Sequence, residues 1–289
     1  MSTNTVESTP LPGETLDAAK MPGHWLLARM GKRVLRPGGI ELTRLLLQGL
    51  EITPAKTVVE LAPGLGATAR LTMLSNPARY IGVERDDAAS KRVVKVLRGE
   101  QDRCVIGSAV ATGLDAESAD VVYVEAMLSM QTASEKSRIV AEAFRVLRPG
   151  GLFGIHELGL QPDTLSDEIK DAIRSELSSA IHIGARPLTL SEWADVLRAG
   201  GFDVEAPRQR TAPMHLLEPR RVVQDEGPLG AMRIAANLLR MPDARRRVLQ
   251  MRRVFRRYAD HLCAVALIAS KPIATPTTTG AINEGTIQE

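Results

Sequence analysis

Aromatic residues are scarce: Phe, Trp and Tyr together make up 3% of the 289 residues. A surface that stacks single-stranded bases needs such rings, so that class of nucleic-acid binding is disfavoured. Cysteine is scarcer still. Cys104 and Cys263 stand far apart, form no metal-type pair and cannot frame a disulfide scaffold. A reducing cytoplasm is therefore the expected location. No apolar run reaches the ~18 residues of a membrane span, and the first twenty residues lack the apolar stretch of a signal peptide. Strong charge is missing too. The formal net charge of +3 commits the chain as a whole to neither nucleic acid nor a lipid surface.

What remains is an ordinary globular composition, 44% hydrophobic and 25% charged. Residues 1–20 and 273–289 are polar and rich in Thr and Pro, and are expected to be disordered tails. Between them, two helical patterns, "HWLLARMGKRVL" and "IELTRLLLQGL", flank a Pro-Gly-Gly breaker in residues 21–53. Strands and helices then alternate. "KTVVELA", "RYIGVER", "DRCVIGSA", "ADVVYVEAML" and "LFGIHEL" read as strands, and "ATARLTMLS", "AASKRVVKVLRG" and "ASEKSRIVAEAFRVL" as helices. "LSEWADVLRAGGF" adds a helix, "FDVEA" a strand, and "HLCAVALIASKP" a last buried strand in residues 261–272. Such alternation predicts βαβ units and a doubly wound, mainly parallel sheet over residues 54–212 with helices on both faces. Residues 213–260 break the rhythm and read as a helical insertion laid over the sheet.

The first strand runs into "ELAPGLGATA". A glycine-rich turn between strand and helix lets backbone approach a ligand and aims free helix N–H groups at it. Glu84 ends the next strand, where a carboxylate can accept both hydroxyls of a ribose. "GLGATA" also fits the nicotinamide-dinucleotide pattern, so an oxidoreductase on a related sheet stays open at this point.

Further motifs separate these readings. With "VVELAPGLGATA" and "YIGVERDD" go "VIGSAVATGLD", "SADVVYVEAML" and "EAFRVLRPGGLFGIHE". In these the chain resembles the class I S-adenosylmethionine-dependent methyltransferases, over about residues 40–202. It is most similar to the small-molecule branch that includes the ubiquinone and menaquinone C-methyltransferases. The resemblance implies a seven-stranded Rossmann-like fold with an N-terminal helical lid, and S-adenosyl-L-methionine as cofactor. It places Glu60 near the methionine amino group, and Ala62, Gly64 and Gly66 under the methionine and ribose. Glu84 takes the ribose, Arg85 flanks the adenine, Ser108 and Ala109 lie at its edge, and Glu125 and Ala126 face the sulfonium. Two positions depart from the family pattern. Ala62 replaces the first glycine, which is tolerable if its φ stays negative, and Ser108 replaces an Asp.

Methyl transfer from a sulfonium needs alignment and exclusion of water, and a general base when the acceptor carries a proton. His156 and Glu157 end the fifth strand and lead the candidates, with His24 and His182 behind them. The expected acceptor is a small molecule, apolar in part. Met214, Met232, Met241, Met251, Leu238, Leu239 and Phe255 are placed as an apolar pocket in the insertion. A macromolecular acceptor is the rival, but "VEAM" stands where amino-methylating enzymes of bases carry Asn-Pro-Pro-Tyr. Arg245, Arg246, Arg252, Arg253, Arg256 and Arg257 are expected mostly on a solvated helix face, with an anionic substrate, a membrane surface and nucleic acid left open as partners. Finally, "RVLRPGG" occurs twice, at 33–39 and 145–151. Both copies read as helix stops; the first, with Thr43, is expected near the methionine carboxylate.

Overall fold

The computed structural model describes Asp17 and residues 20–273. The expected tails lie otherwise outside the described residues. One sheet dominates. Its parallel part contains β1 (Thr57–Leu61), β2 (Arg79–Glu84), β3 (Arg103–Ile106), β4 (Ala119–Glu125) and β5 (Leu147–Leu160). A two-residue β6 (Leu188–Thr189) pairs with the end of β5. β8 (Leu262–Ser270) runs antiparallel between β5 and β7 (Asp203–Pro213). The order is β3-β2-β1-β4-β5-β8-β7. β1 is buried along its whole length, as a strand covered on both faces must be, which explains its apolar Val58, Val59 and Leu61.

The strand pleat divides those residues between two layers. Val59, Val122, Phe153 and Ile155 pack with α5 (Ala133–Val146) and α7 (Leu190–Ala199) through Ile139, Ala143, Trp193 and Leu197. Val58, Val121 and Tyr123 point the other way, onto Leu42, Leu46 and Leu50 of α2 (Gly39–Gly49) and its C-cap. Both α5 and α7 begin with a capping box, Thr132 with Glu135 and Thr189 with Glu192. The short helices α3 (Ala67–Thr72) and α4 (Asp87–Val94) complete the βα units.

Several boundaries differ from the sequence expectation. α1 (Gly23–Met30) stops at Gly31, which adopts φ 105°, instead of continuing to Leu35. α6 (Asp167–Ile181) occupies a stretch given no element by the sequence reading, and buries Ile173, Leu177 and Ala180 on one stripe. β7 extends beyond "FDVEA" to Pro213, across an irregularity between Val204 and Gln209. The insertion contains α8 (Pro219–Arg240), broken at Gly227, and α9 (Pro242–Arg257).

The two "RVLRPGG" copies do different work. In the second, α5 ends at Val146 and Arg148–Pro149–Gly150–Gly151 forms an irregular start to β5, with Gly150 at φ 77°. A Cβ on Gly151 would sit 2.8 Å from the Arg148 carbonyl oxygen. In the first, Gly38 at φ 68° starts α2, and a Cβ there would sit 2.7 Å from Ala264 Cβ. α8 holds this first copy. Glu226 accepts the N–H groups of Arg33 (2.7 Å) and Val34 (2.9 Å), and Arg221 donates to the Gly38 carbonyl (2.8 Å).

Candidate active site

A cavity of about 560 Å³ opens at the carboxyl ends of β1, β2 and β4, where such sheets bind ligands. Its floor is the turn after β1. Gly64 and Gly66 have φ 57° and 73°, as a tight turn into α3 requires. Ala62 has φ 54°. The condition of a negative φ is therefore not met: the turn holds an alanine in the left-handed region, which strains its Cβ by about 1–2 kcal/mol. Its N–H bonds to the Val83 carbonyl at 2.8 Å, which fixes the turn against β2.

Glu84 lines the cavity from the end of β2. Its carboxylate accepts the N–H groups of Gly64 (2.9 Å), Arg85 (2.8 Å) and Asp86 (3.0 Å). Three of its roughly four acceptor sites are filled, so one hydroxyl fits without rearrangement, not two. Arg85, Ser108 and Ala109 line the same end of the cavity, and Ala126 lines it at the end of β4.

Two buried glutamates set the electrostatics. Glu60 accepts the phenol O–H groups of Tyr80 (2.5 Å) and Tyr123 (2.7 Å) on one oxygen. Burial pushes its carboxyl up, the two phenols pull it back in part, and it settles at about 7. Glu125 is the opposite case. Burial pushes it up, but Arg36 beside it and then His156 outweigh that and hold it at about 2. Thr43 donates to its Oε1 at 2.7 Å, Thr68 to its Oε2, and Arg36 lies 3.2 Å from Oε2.

His156 and Glu157, the leading catalytic candidates from the sequence, are not among the residues that line the cavity. Both are fully buried. His156 Nδ1 lies 2.6 Å from Glu125 and Nε2 lies 2.6 Å from the Pro37 carbonyl oxygen. One nitrogen thus faces a carboxylate and the other a backbone carbonyl. Glu157 accepts the N–H groups of Met127 (2.9 Å), Leu128 (2.6 Å) and Ser129 (3.1 Å), holding the loop after β4. Thr43 also stands behind the wall, bonded to Glu125. His182 closes α6 in a left-handed conformation and is not a lining residue. His24 does line the cavity, its ring 4.5 Å from that of Trp25, and burial lowers it to about 4.

The residue missed by the sequence reading is Arg36. It is 6% exposed, and donates to Thr68 Oγ1 at 2.6 Å. Its Nε and Nη2 are buried without a partner among the described residues, and it lines the cavity. A buried guanidinium with unused donors fits a carboxylate ligand. The signal lay in the first "RVLRPGG", where Arg36 reads as a helix-terminal charge. Beyond Arg36 and Glu125, the cavity continues into an apolar chamber that includes Trp25, Leu177, Ile181, Met214, Met251 and Phe255. Of the expected pocket residues, Met232 and Leu239 point to solvent, and Leu238 and Met241 pack in a cluster that α8 and α9 share with α1 and α6.

Residues 59–155 match the family model described as "Methyltransferase domain". An uncharacterised protein of Haemophilus influenzae is 31% identical over 243 residues, covering 82% of this chain and 92% of that one. Sterol 24-C-methyltransferase of Debaryomyces hansenii is 25% identical over 161 residues, 54% of this chain; the match spans only 42% of that enzyme. The solved structure of Haemonchus contortus phosphoethanolamine N-methyltransferase 2 with S-adenosyl-L-methionine superposes with a TM-score of 0.65 at 15% identity, over 86% of this chain and 57% of that one. The nicotinamide reading falls with these matches. The free donors of Arg36, the acceptor of Glu84 and the left-handed turn suit a ligand with a carboxylate at one end and a ribose at the other. The chain belongs to the class I S-adenosylmethionine-dependent methyltransferases.

Proposed function

We propose that this methyltransferase acts on a small molecule with an apolar body, enclosed between a lid of residues 21–53 and a cap of residues 213–260. The observation that carries this reading is the continuity of the cavity. One void joins the polar end around Glu84 and Arg36 to the chamber under α1, α6 and α9. A deep, largely apolar chamber favours a molecule that enters whole over an exposed site on a macromolecule. The similarity to a sterol 24-C-methyltransferase and a phosphoethanolamine N-methyltransferase points the same way.

Bound S-adenosylmethionine supplies a methyl group already activated by its sulfonium. The protein therefore needs no covalent nucleophile; it must orient the partners and exclude water. Arg36 takes the methionine carboxylate, Glu60 the amino group, Glu84 the ribose, and Ser108 and Ala109 the adenine edge. Glu125 fixes Arg36, with Thr43 and His156 holding Glu125 in turn. Among the described residues that line the cavity, the only imidazole is that of His24. Kept neutral by burial, it accepts the acceptor's proton.

The test uses cofactor labelled in its methyl group, with cell extract separated into small-molecule, protein and RNA fractions. Label is expected in organic-soluble small molecules, with S-adenosylhomocysteine formed in equal amount. Label in protein or RNA would sink the small-molecule reading. His24→Phe is expected to lower kcat without changing cofactor affinity; unchanged kcat would remove His24 from the mechanism.

A further inference from the structure

The helical insertion concentrates charge that the rest of the chain lacks. Over residues 219–257 there are eleven arginines, no lysine and three acids, a net of +8. The whole chain carries +3, so the remainder is −5. Two of the three acids, Asp225 and Glu226, have fully buried side chains and are spent on Lys32, Arg33 and Arg221. Asp243 is paired with Arg246. Arg233, Arg240, Arg245 and Arg253 are exposed and have no ion-pair partner among the described residues.

The same region also shows large apolar side chains to solvent. Leu229 is 81% exposed, Met232 67% and Leu239 72%. All three lie on α8 after its break at Gly227. At 3.6 residues per turn they fall, with Ala236, within an arc of about 80°. Arg240 and Arg233 occupy the next ~40° of the same outward face. The inward face carries Ile234 and Leu238, which pack with Ala244, Val248 and Met251. α8 is therefore apolar on both sides, with arginines along the edge of the outer stripe.

We infer that this outer face of α8, with the exposed arginines of α9, docks onto an anionic lipid surface. An interfacial helix combines buried apolar side chains with basic residues at the headgroup level. A second copy of the chain fits less well, because an isologous contact would bring the exposed Arg233, Arg240, Arg245 and Arg253 of one copy toward those of the other. Nucleic acid would leave Leu229, Met232 and Leu239 without a role, and the aromatic content offers no stacking platform. Docking places the catalytic cavity close to the lipid: α9 lines that cavity with Met251 and Phe255, and α8 holds residues 33–38 through Glu226 and Arg221. The inference does not depend on which acceptor is methylated.

The test is co-sedimentation of the full chain with phosphatidylcholine vesicles, with and without phosphatidylglycerol. Binding is expected only to the anionic vesicles, and is expected to fade at high salt. Arg233→Gln with Arg240→Gln should weaken it roughly 30-fold. Leu229→Gln with Met232→Gln and Leu239→Gln should weaken it at least as much. Both sets lie on the solvent side, so melting temperature and cofactor affinity should stay unchanged, which separates lost docking from lost folding. Equal partition into both vesicle types, no binding to either, or full binding by the triple variant would overturn the proposal. So would a self-association that the triple variant abolishes in the absence of vesicle binding, which would assign the face to a second copy. None of these results would touch the methyltransferase reading, since cofactor binding is measured separately.

Discussion

Replacing Glu125 with Gln tests the electrostatic centre of the site. Glu125 is bonded by Thr43, Thr68, Arg36 and His156, and its neighbours include a guanidinium and an imidazole ring. Its carboxyl is held at about 2 against an ordinary value of 4.5. That separation converts to about 3 kcal/mol of stability at neutral pH. Losing one partner of a buried charged cluster costs about 3–5 kcal/mol by independent precedent, so the two routes agree. The sign follows from linkage. A carboxyl lowered in the folded state contributes fully above its unfolded value of about 4.5, and the contribution is lost as pH falls toward 2. Urea denaturation of Glu125→Gln at neutral pH should therefore show a loss of about 3 kcal/mol. Its stability should also fall less steeply between pH 4.5 and 3 than that of the parent. A loss under about 1 kcal/mol, or an acid limb as steep as the parent's, would refute the assignment of Glu125 as the counter-ion that holds Arg36 and His156.

Three further outcomes follow from the same geometry. Ala62→Gly should stabilise the protein by about 1 kcal/mol, because glycine adopts φ 54° without strain; thermal unfolding that shows no gain would contradict the strained turn. Arg36→Met should weaken cofactor binding by roughly 10–100-fold, the worth of a hydrogen bond to a charged group, read by titration calorimetry. Glu60 is the reverse of Glu125. Raised to about 7, it disfavours the folded state as pH climbs from 4.5 through 7, yet it must be ionised to receive an ammonium group. Cofactor affinity should rise with pH through about 7 in the parent, and Glu60→Gln should bind weakly with no such slope.

The sheet was legible because its central parallel strands are buried on both faces, leaving apolar runs such as "VVYV" in β4. The insertion was legible from the loss of alternation. α6 was missed although Ile173, Leu177 and Ala180 carry helical spacing, because that stripe is thin within a mostly polar and charged stretch. The site was legible where chemistry is local: Gly64, Gly66 and Glu84 belong to consecutive turns and strand ends. It failed where partners come together only in three dimensions. Nothing near Arg36 in sequence announces that Thr68 and Glu125 will meet it. Conversely, His156 and Glu157 stand at the end of a strand, where titratable side chains suggest chemistry. Folding spends both of them on holding neighbouring backbone and side chains in place. The repeated "RVLRPGG" shows the same limit: one copy opens a strand, the other supplies a cavity-lining arginine, and only tertiary surroundings tell them apart.

The most direct measurement is a crystal structure of the chain with S-adenosylhomocysteine. The account predicts the ligand carboxylate on Arg36 Nε and Nη2, the ribose on Glu84, and the sulfur facing the chamber of Trp25, Met214 and Phe255. A ligand whose carboxylate lies away from Arg36, or whose sulfur faces away from that chamber, would contradict it.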